Sequence, residues 1–333
     1  MLLNSHGRDN NVAPDGQLAT EKLPMKNAIR FAVFFLSALV ALFVEPIPSA
    51  GQNVGNSAER LRLKRVQSLI PALEPLHQKL PPPRPGDWLE THPEKGQDFK
   101  GYLRSNPITL APPRTVLYVL PLGDFSPRER QIVSLSAEFL GIYFACKVVT
   151  LEALSIDDSI PATAKRVHPS WGVPQIKSSF VLETLLPPRV PADAVALICF
   201  TTSDLYPSDD WNFVFGQATY RDRVGVWSMY RNGDPESEFE LCLKRTLRVA
   251  THETGHMFSM PHCIAYQCNL CGSNSLSESD RLPLYLCPQC VAKVVWATRC
   301  DPIARFTSLR DFCQRHSLLD EAEYYAKALK RLE

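Results

Sequence analysis

His252-Glu253-Thr254-Gly255-His256-Met257-Phe258-Ser259-Met260-Pro261-His262-Cys263 places three imidazoles, a carboxylate and a thiol within one short stretch. On a helix, residues four apart lie one turn apart on the same face, so His252 and His256 can reach a single ion at about 2 Å from each nitrogen. Glu253 stands one step round the helix, near enough to take a proton from water at the ion's open position. Pro261 takes the chain out of the helix before His262 arrives. Three neutral ligands with an open fourth position describe a catalytic zinc site rather than a closed structural one.

HExxH alone turns up by chance on ordinary amphipathic helices. Here a third His follows three residues beyond Ser259, which is the metzincin spacing: the helix ends, the chain reverses and the last imidazole returns to the ion. Three unrelated solvated or core histidines are the competing reading, and the extended spacing weighs against it. The thiols then continue the pattern, with Cys263, Cys268 and, beyond a short loop, Cys287-Pro288-Gln289-Cys290. Two such pairs match a closed four-thiolate zinc site, against buried free thiols or, in a secreted chain, disulfides. Cys268-Asn269-Leu270-Cys271 is itself a CxxC that could join Cys287 and Cys290 and leave Cys263 free. Spacing alone does not choose. If Cys263 is a ligand, one peptide bond ties the closed site to His262 of the open one.

With these residues in hand the sequence resembles the archaemetzincins. That family's motif runs HExxHxxGxxHCx4CxM, then a spacer and CxxC, and the two His, the Glu, the third His and four Cys all fall in place. The likeness extends over roughly Trp88 to the C-terminus. It takes in Asp204-Leu205-Tyr206-Pro207, Trp211-Asn212-Phe213-Val214-Phe215-Gly216-Gln217-Ala218 and Arg223-Val224-Gly225-Val226. The resemblance favours Cys263 over Cys271 as the fourth thiolate. It implies a zinc-dependent peptidase on a metzincin-like twisted mixed sheet, with the zinc histidines on the active-site helix and a smaller helical, zinc-bound C-terminal part. It also implies mostly intracellular proteins. Two positions depart: Ser259 stands where the family has the Gly that ends the helix, and Leu270 where it has the Met of the Met-turn. A non-Gly residue in a left-handed turn costs about 1 kcal/mol, and Leu has nearly the volume of Met. Neither change removes a ligand or the base.

Composition excludes little but points away from some partners. The 333 residues are 45% hydrophobic with net charge +1, so nothing electrostatic draws the chain to nucleic acid or acidic lipid. Seven of the ten cysteines crowd between Cys263 and Cys313, four of them at zinc spacing. Residues 1–24 are polar, aperiodic and expected to be disordered. Residues 25–50 carry a basic flank, the apolar run Phe31 to Val44 and small residues up to Ala50, which fits a secretory signal or an anchor; Pro48 is a poor residue before a cut after Ala50. Both a secretory and a cytoplasmic location stay open. Residues 51–86 read as a basic, Pro-rich linker, containing a short helix from Arg60 with Val66, Leu69 and Ile70 on its apolar face, and the stiff Pro81-Pro82-Pro83-Arg84-Pro85. The catalytic domain is expected over 87–333.

Within that domain the periodicity predicts α/β order. Strands are expected at 114–120, 146–151 and 195–200, helices from Ser126-Pro127-Arg128-Glu129 and over 176–186, and a proline-bearing loop over 155–175. Two further strands, 211–217 and 224–229, precede a long helix capped by Asp234 or Ser237 that carries the histidines. Two helices, 301–315 and 319–332, close the chain. The 211–217 strand is expected at an exposed edge, with Trp211, Phe213 and Phe215 on one face and Gly216 leaving room for a peptide substrate to pair as an added strand.

These readings predict a zinc metallopeptidase with two Zn2+. One lies on His252, His256 and His262 beside the base Glu253. The other lies on Cys263, Cys268, Cys287 and Cys290. The alternative is a non-catalytic zinc-stabilised binding protein of the same fold. Glu253 separates them, because a purely structural site gives no reason for a carboxylate beside its first ligand.

Overall fold

A computed structural model describes residues 50–219 and 222–333. The expectations for 1–24 and for the targeting segment before Ala50 lie outside the described residues. Residues 62–333 fall in one compact unit.

The described helices and strands used here are α1 (Ala50–Leu73), α2 (Phe99–Arg104), β1 (Val116–Leu122), α3 (Pro127–Tyr143), β2 (Lys147–Thr150), β3 (Lys165–Val167) and β4 (Pro174–Lys177). They continue with β5 (Ala194–Thr201), β6 (Asp204–Tyr206), β7 (Gly216–Ala218), β8 (Val224–Ser228), α4 (Phe239–Met257), α5 (Pro288–Thr298), α6 (Pro302–Arg315) and α7 (Leu319–Leu332). The main sheet has the order β2-β1-β5-β8-β7, and a small second sheet runs β3-β4-β6. All pairs among β2, β1, β5 and β8 are parallel, and β7 joins β8 antiparallel at the edge. This is the mixed α/β architecture expected.

β5 is buried along its whole length, as a continuous apolar run covered on both faces must be. Alternate residues of the sheet enter two different layers. Leu117, Val119, Ile198 and Phe200 pack with α3, α4 and the C-terminal helices. Leu120, Leu122, Leu197 and Val226 pack with Val181, Leu182 and Leu185 on the other side. α3 begins as the sequence dictates: Ser126 Oγ accepts from Glu129 N while the Glu129 carboxylate accepts from Ser126 N, with Pro127 in the first turn.

Four expectations are corrected. Ile176 and Lys177, expected to open a helix, are strand, because β4 pairs with β3 on one side and β6 on the other; of 176–186, helical turns occupy only Ser178 to Leu185. The expected loop 155–175 therefore contains β3. Helix α4 starts after Glu238, whose side chain accepts no capping hydrogen bond, while Asp234 instead accepts from Glu236 N and Ser237 Oγ in the turn before it. Finally, 51–86 is not simply a linker. Val66, Leu69 and Leu73 are buried in the main core, Arg62 donates to the Trp296 carbonyl, and Lys79 bridges to Tyr266, so the compact unit begins at Arg62 and not at Asp87.

Candidate metal centre

The last turn of α4 brings His252 and His256 together. Their Nε2 atoms lie 3.0 Å apart, and with a nitrogen of His262 all three fall within 4.8 Å of one another, buried. A tetrahedral ion bound at about 2 Å separates neighbouring nitrogens by about 3.3 Å, so the three imidazoles fit zinc. The outward nitrogens explain why the inner ones are available. His252 Nδ1 donates to the Asn269 carbonyl at 2.8 Å, and His256 Nδ1 to the Met260 carbonyl at 2.6 Å, so both Nε2 atoms keep their lone pairs. Burial, before any other influence, pushes the His252 ring down to about 3 and His256 well below its ordinary value. Both rings are neutral at pH 7.

His262 reaches the cluster because the helix ends sharply. Ser259 has φ +64°, Ser259 N donates to His256 O at 2.8 Å and Met260 N to Gly255 O at 3.3 Å. That pair of bonds is the Schellman ending, normally built on Gly. Ser259 thus takes the left-handed conformation its position requires, and its Oγ accepts from Ile108 N at 3.1 Å. Gly255, inside the helix, is needed for contact: a Cβ there would stand 2.7 Å from Leu270 Cδ2. Leu270 is fully buried and packs beneath the helix turn that bears the two histidines.

Glu253 is fully buried, and neither carboxylate oxygen has a partner among the described residues. Burial raises its pKa to about 7. An orphaned carboxylate next to converging imidazoles is expensive in a purely structural core and fits a group that exchanges protons with something bound there.

A second cluster joins Cys263, Cys268, Cys287 and Cys290, whose sulfurs also lie within 4.8 Å of one another and are all buried. Cys263 and Cys287 approach to 3.6 Å. Its neighbouring thiols hold Cys263 far below the ordinary thiol range, while burial and these contacts raise Cys268. Four sulfurs closed on every side are the donor set of a structural zinc. Cys271 is not one of the four; its thiol donates to the Tyr266 carbonyl at 3.2 Å. Cys287 precedes α5 and Pro288 opens it, so Cys290 sits in the first turn of a helix the periodicity did not reveal.

The model of peptidase family M54 matches residues 190–295. Human archaemetzincin-2 is 31% identical over 260 residues, covering 68% of this chain and 71% of its own. This chain belongs to the archaemetzincin family. Like other archaemetzincins it is a zinc metallopeptidase, a hydrolase acting on peptides. The archaemetzincin of Thermococcus kodakarensis is 33% identical over 187 residues, covering 54% of this chain and 95% of that one. The crystal structure of Archaeoglobus fulgidus archaemetzincin complexed with malonate is 27% identical, with a TM-score of 0.43, covering 54% of this chain and 99% of that one.

Two features of this archaemetzincin were not legible beforehand. Glu94, upstream of the matched segment, accepts from His262 Nδ1 at 2.8 Å and from Trp88 Nε1 at 2.7 Å. Burial pushes the Glu94 carboxyl up, but the donors His262 and Trp88 outweigh it and leave the group below the usual carboxylate value. A lone Glu many residues from the motif carries no spacing signal. The second feature is the shortness of the edge strand. Only Gly216–Ala218 is strand; in 211–215 the carbonyls of Trp211 and Asn212 are taken by Arg166, and that of Asn212 also by Gln175. Trp211 packs in the opposite layer from Phe213 and Phe215, so the three rings do not share a face. Phe215 O and Thr219 N bond to β8, which turns the peptide groups of Gly216 and Ala218 toward the open edge. The missing side chain of Gly216 does not make room for a ligand: a Cβ would meet Val249 of α4 at 3.2 Å and Trp227 at 3.4 Å.

Proposed function

We propose that this archaemetzincin hydrolyses peptide bonds at a zinc held by His252, His256 and His262, with Glu253 as general base. A second zinc on Cys263, Cys268, Cys287 and Cys290 fixes the fold around the first. The observation that carries the reading is Glu253: a fully buried carboxylate without a partner among the described residues, one residue from the first imidazole of a convergent trio. Zinc bound in such a site would supply Lewis acidity, lowering the ionisation of water to near neutrality and polarising a carbonyl. The protein's own residues do the rest. His252 and His256 are kept neutral by burial and aimed by the carbonyls of Asn269 and Met260. Glu253 Oε takes the proton of the attacking water and delivers it to the leaving amine, a task suited to a carboxyl whose pKa lies near neutrality. The peptide lies extended along β7, taking main-chain hydrogen bonds from the outward groups of Gly216 and Ala218.

Glu253→Gln tests this. The amide keeps the volume and cannot accept the proton, so zinc content and unfolding midpoint stay at parental values while hydrolysis falls about 10²-fold to 10⁴-fold. A variant that cleaves as fast as its parent removes Glu253 from the base role.

A further inference from the structure

The three imidazoles are not held alike. His252 and His256 ride on α4 and give their outer N–H groups to backbone carbonyls. His262 lies beyond Pro261, off the helix, and gives Nδ1–H to the Glu94 carboxylate at 2.8 Å. The same Glu94 oxygen accepts from Trp88 Nε1 at 2.7 Å. Trp88 is 3% exposed and stands edge-on to the His262 ring at 5.2 Å. It fits only because residue 272 is Gly: a Cβ there would lie 2.5 Å from the indole. Its backbone N–H is gripped by Glu278 at 2.9 and 3.1 Å, and the same carboxylate takes Asn274 N at 2.6 Å. The arm from Trp88 to Glu94 is therefore anchored independently of His262.

We propose that Glu94 is a positioning residue of the metal centre, holding His262 as the Nδ1–H tautomer with Nε2 turned to the other two imidazoles, and that Trp88 in turn holds Glu94. The proposal rests on the three-histidine reading above. A ring on a loop lacks the helix that orients its two partners, so a fixed acceptor contributes more to it. A charged acceptor binds an N–H roughly twice as strongly as a neutral one and raises the electron density of the opposite nitrogen, making it a better ligand. Segment 88–94 would then be part of the active site although it precedes the family motif by more than a hundred residues.

The test is zinc affinity of the full chain, measured with Zn2+ against a graded series of chelators, for the parent, Glu94→Ala, Glu94→Gln and Trp88→Phe. Each protein is also melted after its exchangeable zinc has been removed. Glu94→Ala is expected to weaken zinc binding about 10-fold to 100-fold. Glu94→Gln falls between, since its amide oxygen still accepts but carries no charge, and Trp88→Phe loses less. The zinc-stripped Glu94 variants should melt close to the parent's temperature, while stripped Trp88→Phe melts lower through the cavity its smaller ring leaves, and its affinity is read against that loss. If Glu94→Ala does not fold, the comparison rests on Glu94→Gln. Unchanged zinc affinity overturns the proposal. So does a loss of affinity matched by an equal loss of stability in the stripped protein, because Glu94 would then be a structural tie. A parent with no exchangeable zinc on its histidines overturns the metal-centre reading itself, an outcome separate from the other two.

Discussion

Ser259 carries two opposed energies that single substitutions separate. Its φ of +64° costs a non-Gly residue about 1 kcal/mol. Its Oγ accepts from Ile108 N at 3.1 Å, a neutral hydrogen bond with a net contribution of about 1 kcal/mol. Ser259→Gly removes both and should leave stability within about 0.5 kcal/mol of the parent. Ser259→Ala removes only the hydrogen bond and should cost about 1 kcal/mol. Ser259→Val loses it too and adds a β-branched side chain in the left-handed region, for about 2 kcal/mol or more. The assay is urea unfolding at fixed free zinc, since bound metal shifts any midpoint by mass action. Zinc competition should follow the same order, because the next residue supplies the carbonyl that orients His256. Ala equal to the parent would mean the Ile108 bond contributes nothing. Val equal to Ala would mean the turn is unstrained, and the account of how His262 is brought back would fail.

A mild chelator should remove the histidine-bound ion and abolish hydrolysis, while Cys263, Cys268, Cys287 and Cys290 stay closed to alkylation in the folded protein; four freely alkylated thiols would refute the thiolate site. Gly216→Pro deletes the outward N–H of β7 and should raise KM for peptides above that of Gly216→Ala, which adds the same Cβ against Val249 but keeps the donor; equal KM values in the two variants would remove the edge strand from substrate binding. His77 is enclosed by Tyr266, Tyr285 and Tyr324, and burial lowers its pKa to about 4 against 6.5. Between those values the unfolded chain binds more protons. The stability held above pH 6.5 should therefore be lost as pH falls toward 4, by at most about 3 kcal/mol. His77→Gln should flatten that slope, and an unchanged slope would refute it.

The two clusters of histidines and cysteines were legible because such groupings are written in fixed local spacings: i, i+4 on a helix, a turn, then a return. The left-handed turn at Ser259 was legible for the same reason, since the chain had to reverse between His256 and His262 whatever residue stood there. Strands β1, β5 and β8 could be read because parallel central strands are apolar throughout. What could not be read depends on pairing partners distant in sequence. Ile176 and Lys177 look helical in isolation and become strand because Lys165 to Val167 and Asp204 to Tyr206 lie on either side. Residues 211–215 alternate like a strand and fail to be one because Arg166 captures two of their carbonyls. Glu94 meets His262 across 168 positions, a separation no spacing rule spans.

The two clusters share more than the peptide bond between His262 and Cys263. Residues 262–271 form a loop closed by Cys263 N donating to Leu270 O at 2.8 Å. That loop supplies His262, the sulfurs of Cys263 and Cys268, the Asn269 carbonyl that orients His252, and Leu270, which packs against Gly255. In the proposed assignment, an ion on the thiolates therefore fixes the loop that aims two of the three imidazoles. The dependence is not mutual. Cys287 and Cys290 stand at the start of α5, whose Val291, Ala292, Val294 and Val295 are buried in the main core and owe nothing to the histidines. On the proposed assignment the closed site would form and persist with the open one stripped, while the open one would need the closed one to hold His252 and His262 in place. In that assignment the asymmetry is why a chelator should act on one ion without unfolding the protein, and why the two motifs would assemble as one centre, the thiolate site first.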